Sequence, residues 1–215
     1  MKDYIRTNKK AYDKVAEEYG KRIKNKSDFE EPLENLVGIP LKHAKERFSQ
    51  INVLEIGPGS GEVCAYFEKQ GYRTTAIDFS KKVLDFVRIV SPKTKLINTD
   101  ILQYEFPENR YQLIYCGALI HLFKKEDAQR LIKKINRALS FKGILFINTT
   151  IHEKSEEGFY EKKDYISKAV RFRHKYTEKE FRKLIEKSNF RVLNKIVTNE
   201  KDRNKFWIAY IAEKI

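Results

Sequence analysis

Between residues 51 and 151 the chain alternates five short apolar runs with segments of helical period, and few folds accommodate that rhythm. The runs are NVLEI (52–56), RTTAID (73–78), KLINTD (95–100), YQLIYCG (111–117) and GILFINTTI (143–151). Continuous apolar runs of this length, separated by amphipathic helices, predict a parallel sheet covered on both faces. The intervening segments carry helix signals. Glu62 opens a helix with Val63, Tyr66 and Phe67 apolar and Gly71 as its stop, and Ser80 is a natural N-cap for KKVLDFVRIV. EDAQRLIKKINRAL forms a third helix, and a turn at Lys142-Gly143 precedes the fifth strand. The tail breaks the rhythm: a helix over 177–189 leads to FRVLNKIVT and FWIAYIAEKI, joined only by NEKDRNK. With no crossover helix between them, these two strands should pair antiparallel. The expected fold is α/β, a doubly wound, mostly parallel seven-stranded sheet with an antiparallel C-terminal hairpin.

Residues 1–50 read differently. Tyr4, Ala11, Tyr12, Val15, Ala16 and Tyr19 recur near one face of a helix over 3–26, while Pro32, Gly38 and Pro40 impose turns before a short amphipathic helix, LKHAKERF. The expected organisation is an N-terminal helical arm or lid (1–50) and a core (51–215). The segment at about 152–176, HEKSEEGFYEKKDYISKAVRFRHKY, is long for a connection and is read as a cap inserted at the carboxyl edge of the sheet.

Composition narrows the class. Hydrophobic residues at 41% and aromatics at 13% support a folded core. No apolar run approaches the roughly 18 residues that cross a bilayer, and the charged start MKDYIRTNKK lacks a hydrophobic signal core. The expected setting is cytoplasmic, without a membrane. Cys64 and Cys116 lie far apart and fit no metal-ligand spacing, so they read as buried thiols. The net charge of +14 is spread along the chain: 12 basic and 9 acidic residues in 1–50, and 17 against 11 in 151–215. Interleaved charge of that kind marks a lysine-rich solvated surface more than a nucleic-acid arm.

The chemistry concentrates in VLEIGPGSGE (53–62). A glycine turn at the carboxyl end of a parallel strand faces the crevice where doubly wound sheets bind ligands. The glycines run 57, 59, 61, and Glu62 stands where a G-x-G-x-x-G fingerprint has its third glycine. A carboxylate there opposes a pyrophosphate. Asp78 ends the second strand 21 positions after Gly57, where an acid accepts hydrogen bonds from ribose hydroxyls, and Asp100 ends the third. With Glu55 these acids form an electronegative mouth, suited to a cationic nucleoside without phosphates.

VLEIGPGSGE, AIDFS, NTDILQYEF, YQLIYCGALIHLF and RALSFKGILFINTT together resemble the successive motifs of class I S-adenosylmethionine-dependent methyltransferases. The resemblance is strong over roughly 50–150 and implies the Rossmann-like fold of that family. It also implies that Glu55, Gly57, Gly59 and Gly61 hold the methionine part of S-adenosylmethionine. Asp78 would take the ribose hydroxyls and Phe79 would border the adenine. Asp100 and Ile101 would grip the base, and the Cys116-Gly117 backbone would meet the ammonium. Gln112 stands where many relatives have an acid. In this family, segments like AYDKVAEEY fold over the cofactor, which brings Tyr12 and Tyr19 toward it.

The implied reaction is in-line methyl transfer to an oxygen or nitrogen of a small-molecule acceptor, with S-adenosylhomocysteine as product. His121, just after the fourth strand, reads as a base or an acceptor-orienting donor, or else as a histidine filling a helix start. Arg171 and Arg173 would meet an anionic acceptor or solvate their loop. CGAL replaces the Asn/Asp-Pro-Pro-Tyr/Phe element of base and glutamine methylation, and neither a Pro-Cys nucleophile nor a metal-binding aspartate set is present. An RNA or protein methyltransferase, motivated by the basic surface, and a non-catalytic cofactor-binding subunit are the alternatives. The acceptor and the oligomeric state are not written in the sequence.

Overall fold

The computed structural model describes residues 1–24, 34–161, 168–200 and 205–215, without the side chains of 17, 19–24 and 34. Helix α1 (Asp3–Lys24) comes first. A π-helical turn at Glu34–Gly38 and helix α2 (Ile39–Lys45) follow, with a proline in the first turn of α2. Then come β1 (Asn52–Ile56), α3 (Glu62–Lys69), β2 (Arg73–Asp78), α4 (Lys81–Val90), β3 (Lys95–Asn98) and β4 (Tyr111–Cys116). A 3-10 turn at Ile120–Leu122 precedes α5 (Lys125–Ala138) and β5 (Leu139–Thr150). The chain ends with β6 (Glu156–Glu161), β7 (Val170–Lys175), α6 (Glu178–Glu186), β8 (Phe190–Glu200) and β9 (Lys205–Lys214).

Seven strands form one sheet in the order β3-β2-β1-β4-β5-β9-β8. The first five are parallel, β9 runs antiparallel to β5, and β8 antiparallel to β9. This is the mostly parallel sheet with an antiparallel C-terminal pair that the patterning predicts. β1 sits between β2 and β4, so the glycine turn after it emerges at the middle of the carboxyl edge. Ser80 caps α4 as expected, its Oγ accepting from the Val83 N–H at 3.3 Å. Cys64 and Cys116 are buried free thiols.

Both faces of the sheet are buried. One carries Leu54, Ile114 and Leu145 against α5, and the other carries Val53, Leu113 and Phe146 against α2 and α3. The rings of Tyr115 and Phe146 stack at 4.2 Å across neighbouring strands. Each fully buried side chain of this size contributes about 1.5–3 kcal/mol over its exposed state.

One expectation is corrected. β5 begins at Leu139, not after the Lys142-Gly143 turn: Leu139 pairs with Tyr111 and the register then shifts before Leu113↔Ile144. The positive φ of Lys142 (61°) and the tight packing at Gly143, where a Cβ would meet the Ser140 carbonyl at 2.7 Å, absorb the irregularity inside the strand. Within the segment read as a cap, the described residues form a separate two-stranded ribbon, β6 with β7, pairing Phe159 with Phe172. The alternation of Val170, Arg171, Phe172 and Arg173 in β7 is a strand pattern that the segment's length as a connection obscures.

α1 packs against this ribbon and against α4. Asn8 is buried and bonds both ways: its Nδ2 donates to the Leu122 carbonyl at 3.0 Å and its Oδ1 accepts from the Phe172 N–H at 2.7 Å. Tyr4 packs its ring on Phe172 at 4.8 Å and donates to Asp127 of α5 at 2.6 Å, beside the Lys2 ammonium at 2.7 Å. Among the described residues no helix is long and apolar enough to cross a membrane.

Removing the Asn8 amide leaves two buried backbone groups without partners, at about 1–3 kcal/mol each. Asn8→Ala is therefore expected to lower the urea midpoint and to expose residues 3–24 to hydrogen exchange before the sheet. Uniform exchange in both proteins would contradict this anchoring role.

Candidate active site

A cleft of about 240 Å³ opens at the carboxyl edge of the sheet. Its floor is the turn after β1. Gly57, Gly59 and Gly61 have φ of 70°, 52° and 80°, backbone that side chains other than glycine rarely adopt. The Gly57 N–H donates to the Ile77 carbonyl at 2.9 Å, tying the turn to the end of β2, and Gly61 closes on the Pro58 carbonyl at 2.9 Å. Pro58 thus sits in the turn as an acceptor, with its missing N–H not required. A Cβ on Gly57 would press Leu119 at 3.0 Å, and one on Gly117 would strike the Tyr115 ring at 2.9 Å. Both glycines line the cleft.

The walls come from distant parts of the chain. Asp78 and Phe79 come from the end of β2, Leu119 and Asn148 from the ends of β4 and β5, and Tyr12 from α1. Tyr12 meets the Phe79 ring edge-on at 6.2 Å. Its hydroxyl accepts from Arg171 Nη1 of β7 at 2.9 Å. The Ser80 hydroxyl donates to Asp13 one residue along α1, which also pairs with Lys9 at 2.6 Å, so α1 is fastened beside Asp78.

Glu55 and Asp78 are the charged residues lining the cleft, and both are acids. Burial pushes the Glu55 carboxyl up to about 8, aided by nearby Glu62 and opposed by the Cys64 thiol, which donates to Glu55 Oε2 at 2.7 Å. The Cys64 thiol is itself pushed well up by burial and by Glu55, so the proton stays on sulfur. Burial likewise pushes Asp78 up to about 7, with Asp13 adding to the rise and the Ser80 N–H, at 2.7 Å from Oδ1, opposing it. Two acids whose carboxyls burial pushes upward, with Lys9 as the cation acting on Asp78, favour a ligand that brings a cation and hydroxyl donors. A pyrophosphate would meet only repulsion.

The structure gathers part of the expected set. Tyr12, Glu55, Gly57, Gly59, Asp78, Phe79 and Gly117 line the cleft, whereas Gly61, Asp100, Ile101 and Cys116 do not. Gly61 is a packing glycine, since a Cβ there would lie 2.8 Å from Val90. Asp100 is buried with Oδ1 accepting from the Leu102 N–H at 3.1 Å, which closes its own loop, and Ile101 and Cys116 belong to the core. The Tyr19 side chain lies outside the described residues. His121 is 2% exposed and off the cleft. Its Nδ1 shares a hydrogen bond with Thr149 Oγ1 at 3.1 Å, and its ring meets Trp207 edge-on at 6.3 Å. Arg171 and Arg173 are also off it, held by Tyr12 and by Thr150 Oγ1 respectively. Sequence reasoning missed Asn148, whose Oδ1 accepts from the Ala118 N–H at 2.5 Å and fixes the strained loop where Ala118 has φ 51°. A polar residue interrupting the apolar run ILFINTT was the available signal.

The raised carboxyls set a pH dependence. Unfolded, Asp78 and Glu55 release their protons near 3.8 and 4.5, but folded they keep them to about 7 and 8. The folded state binds more protons in that window, so these two groups make stability fall as pH rises from about 4 to about 8. Calorimetric Tm values of the ligand-free protein are expected to fall less steeply across this range in Asp78→Asn/Glu55→Gln. Parallel curves would refute the assignment.

Comparison with known proteins agrees with this geometry. Residues 27–195 match the family model described as a methyltransferase domain. Over 119 residues the chain is 36% identical to a phosphoethanolamine N-methyltransferase of Plasmodium falciparum, covering 53% of this chain and 44% of that one. The chain spans less than half the length of the curated relatives it matches. Among solved structures, the 1,6-didemethyltoxoflavin-N1-methyltransferase of Burkholderia thailandensis, crystallised with S-adenosylhomocysteine, superposes with TM-score 0.74 at 14% identity, covering 99% of this chain and 89% of that one. The cyclase SpnF superposes with TM-score 0.72 at 12% identity over 96% and 94% of the two chains. The chain belongs to the methyltransferase-domain family, the class I enzymes that use S-adenosylmethionine as methyl donor.

Proposed function

We propose that the protein binds S-adenosylmethionine in the carboxyl-edge cleft and methylates an oxygen or nitrogen of a small-molecule acceptor. The observation that carries this is the lining itself: glycine backbone that leaves no room for a Cβ, and acids as the charged groups. When bound, the cofactor supplies a methyl group activated by a sulfonium for in-line displacement. Asp78 accepts from the ribose hydroxyls, Phe79 and Tyr12 flank the adenine, and Glu55 with the Gly57, Gly59 and Gly117 backbone takes the methionine end. Gly61, Asp100, Ile101 and Cys116 act indirectly, by holding the loops that carry these contacts.

Catalysis then rests on positioning and exclusion of water more than on a base. α1 and β7 close over the site through Tyr12 and Arg171, which suits an acceptor small enough to be enclosed. His121 holds Thr149 beside Asn148 and so orients the acceptor side without touching it. Two relatives point the same way, being named as methyltransferases of phosphoethanolamine and of 1,6-didemethyltoxoflavin. We assign the acceptor pocket to the rim between Tyr12 and β7, and the protein's setting to the cytoplasm.

Calorimetric titration with S-adenosylmethionine is expected to give saturable binding. Asp78→Ala should weaken it at least about tenfold, the worth of one charge-assisted hydrogen bond. Unchanged affinity in that variant sinks the assignment. Labelled cofactor offered with metabolite extract, total RNA and peptides should mark the metabolite fraction. Label confined to RNA or peptide would replace the small-molecule reading, and binding without any labelled product would leave a cofactor-binding subunit. Turnover in His121→Ala should keep the pH profile of the parent protein, whereas loss of one limb of that profile would restore His121 as a base.

A further inference from the structure

β2 ends in Asp78 at the cleft and begins in Arg73 at the opposite edge of the sheet, where β3 begins in Lys95. There a second cavity, of about 520 Å³, is larger than the cleft. Arg73 starts β2 and Lys95 starts β3, in neighbouring parallel strands registered Thr75↔Lys95, and Arg110 immediately precedes β4. Lys93 joins them from the loop into β3. All four are exposed, and none forms an ion pair with an acid among the described residues. Glu68 also lines the cavity, but its Oε2 already accepts from Ser91 Oγ at 2.7 Å and from the Lys93 backbone N–H at 2.9 Å.

Four cations against the single Glu68 carboxylate leave the concavity net positive, and an anion seated among the cations removes their mutual repulsion. The chemistry is selective. The Arg guanidinium forks match phosphate oxygens two at a time, and the Lys ammoniums add point charges. Tyr72 and Tyr104 supply aromatic surface and hydroxyls in the wall. The size falls within the roughly 300–1,000 Å³ typical of small-ligand sites.

We propose that this amino-edge cavity is a second ligand site that binds a phosphate-bearing small molecule, with Arg73, Lys93, Lys95 and Arg110 as its phosphate contacts. The site is chemically orthogonal to the cleft, whose charged lining is acidic, and it does not depend on the methyl-transfer reading.

Titration calorimetry on the full chain at about 0.05 M and 0.15 M salt would use inorganic phosphate, pyrophosphate, ATP and adenosine as probes. With the cleft saturated by S-adenosylmethionine, saturable binding of pyrophosphate or ATP is expected, weaker at the higher salt and absent for adenosine. Tighter binding of ATP than of pyrophosphate would assign the tyrosine wall to a nucleobase, and equal binding would assign the site to the phosphate group alone. Arg73→Ala and Arg110→Ala should each weaken binding about tenfold. S-adenosylmethionine affinity, as an internal control of folding, should stay within about twofold in both variants. Four results would overturn the proposal: no saturable binding of any phosphate probe, affinity unchanged in the Arg73→Ala/Arg110→Ala double variant, displacement of the probe by S-adenosylmethionine, or saturable binding only with an RNA oligonucleotide.

Discussion

The parallel pairing of β1 between β2 and β4 is the constraint on which the site depends. Ile56 lies beside Ile77, so the chain leaves β1 at Gly57 one step from Asp78, and the Gly57 N–H is satisfied by the Ile77 carbonyl. β4 on the other side brings Gly117 to the same edge. A one-residue slip would turn every buried side chain to the other face and would separate the three strand ends. Core packing therefore fixes the site geometry, and the site does not need to be stable by itself. Its acids, which burial pushes upward, and its left-handed turn are tolerated because the sheet around them is over-determined.

The second half of the site is assembled from remote sequence. Asn8 satisfies a carbonyl after β4 and an amide of β7 with one side chain, and Arg171 reaches Tyr12 across 159 positions. These contacts hold α1, whose Tyr12 lines the cleft, to the β6–β7 ribbon. Of the residues that read as substrate ligands in the sequence, Arg171 bonds Tyr12 in this seam and Arg173 bonds Thr150 of β5.

Charge is organised locally even where it looks uniform along the chain. The protein carries +14 overall, yet the charged lining of its cleft is Glu55 and Asp78, while the cavity at the strand starts has four cations and one acid, Glu68. Summed along the sequence, these features cancel into an unremarkable lysine-rich surface. They separate because a parallel sheet sends every strand start to one edge and every strand end to the other. The likeness to both an N1-methyltransferase and a cyclase shows that this scaffold hosts more than one chemistry, so function has to be argued from such local features.

The sequence by itself determined the sheet, its antiparallel end and the glycine turn, because each is a local pattern: apolar runs of strand length, a hairpin loop too short for a helix, and glycines where the backbone turns left-handed. It also determined which acids flank the turn. Only the tertiary structure decided which of them face the cleft. Asp78 does, while Asp100, equally placed at a strand end, spends its carboxylate on its own loop. Only the fold could show that His121 is buried against Thr149 and Trp207, that Asn148 braces the loop after β4, and that β6 and β7 form a ribbon packed on α1. Such choices depend on which distant groups arrive to take up a hydrogen bond or exclude water, and that information lies in packing between elements far apart in the chain.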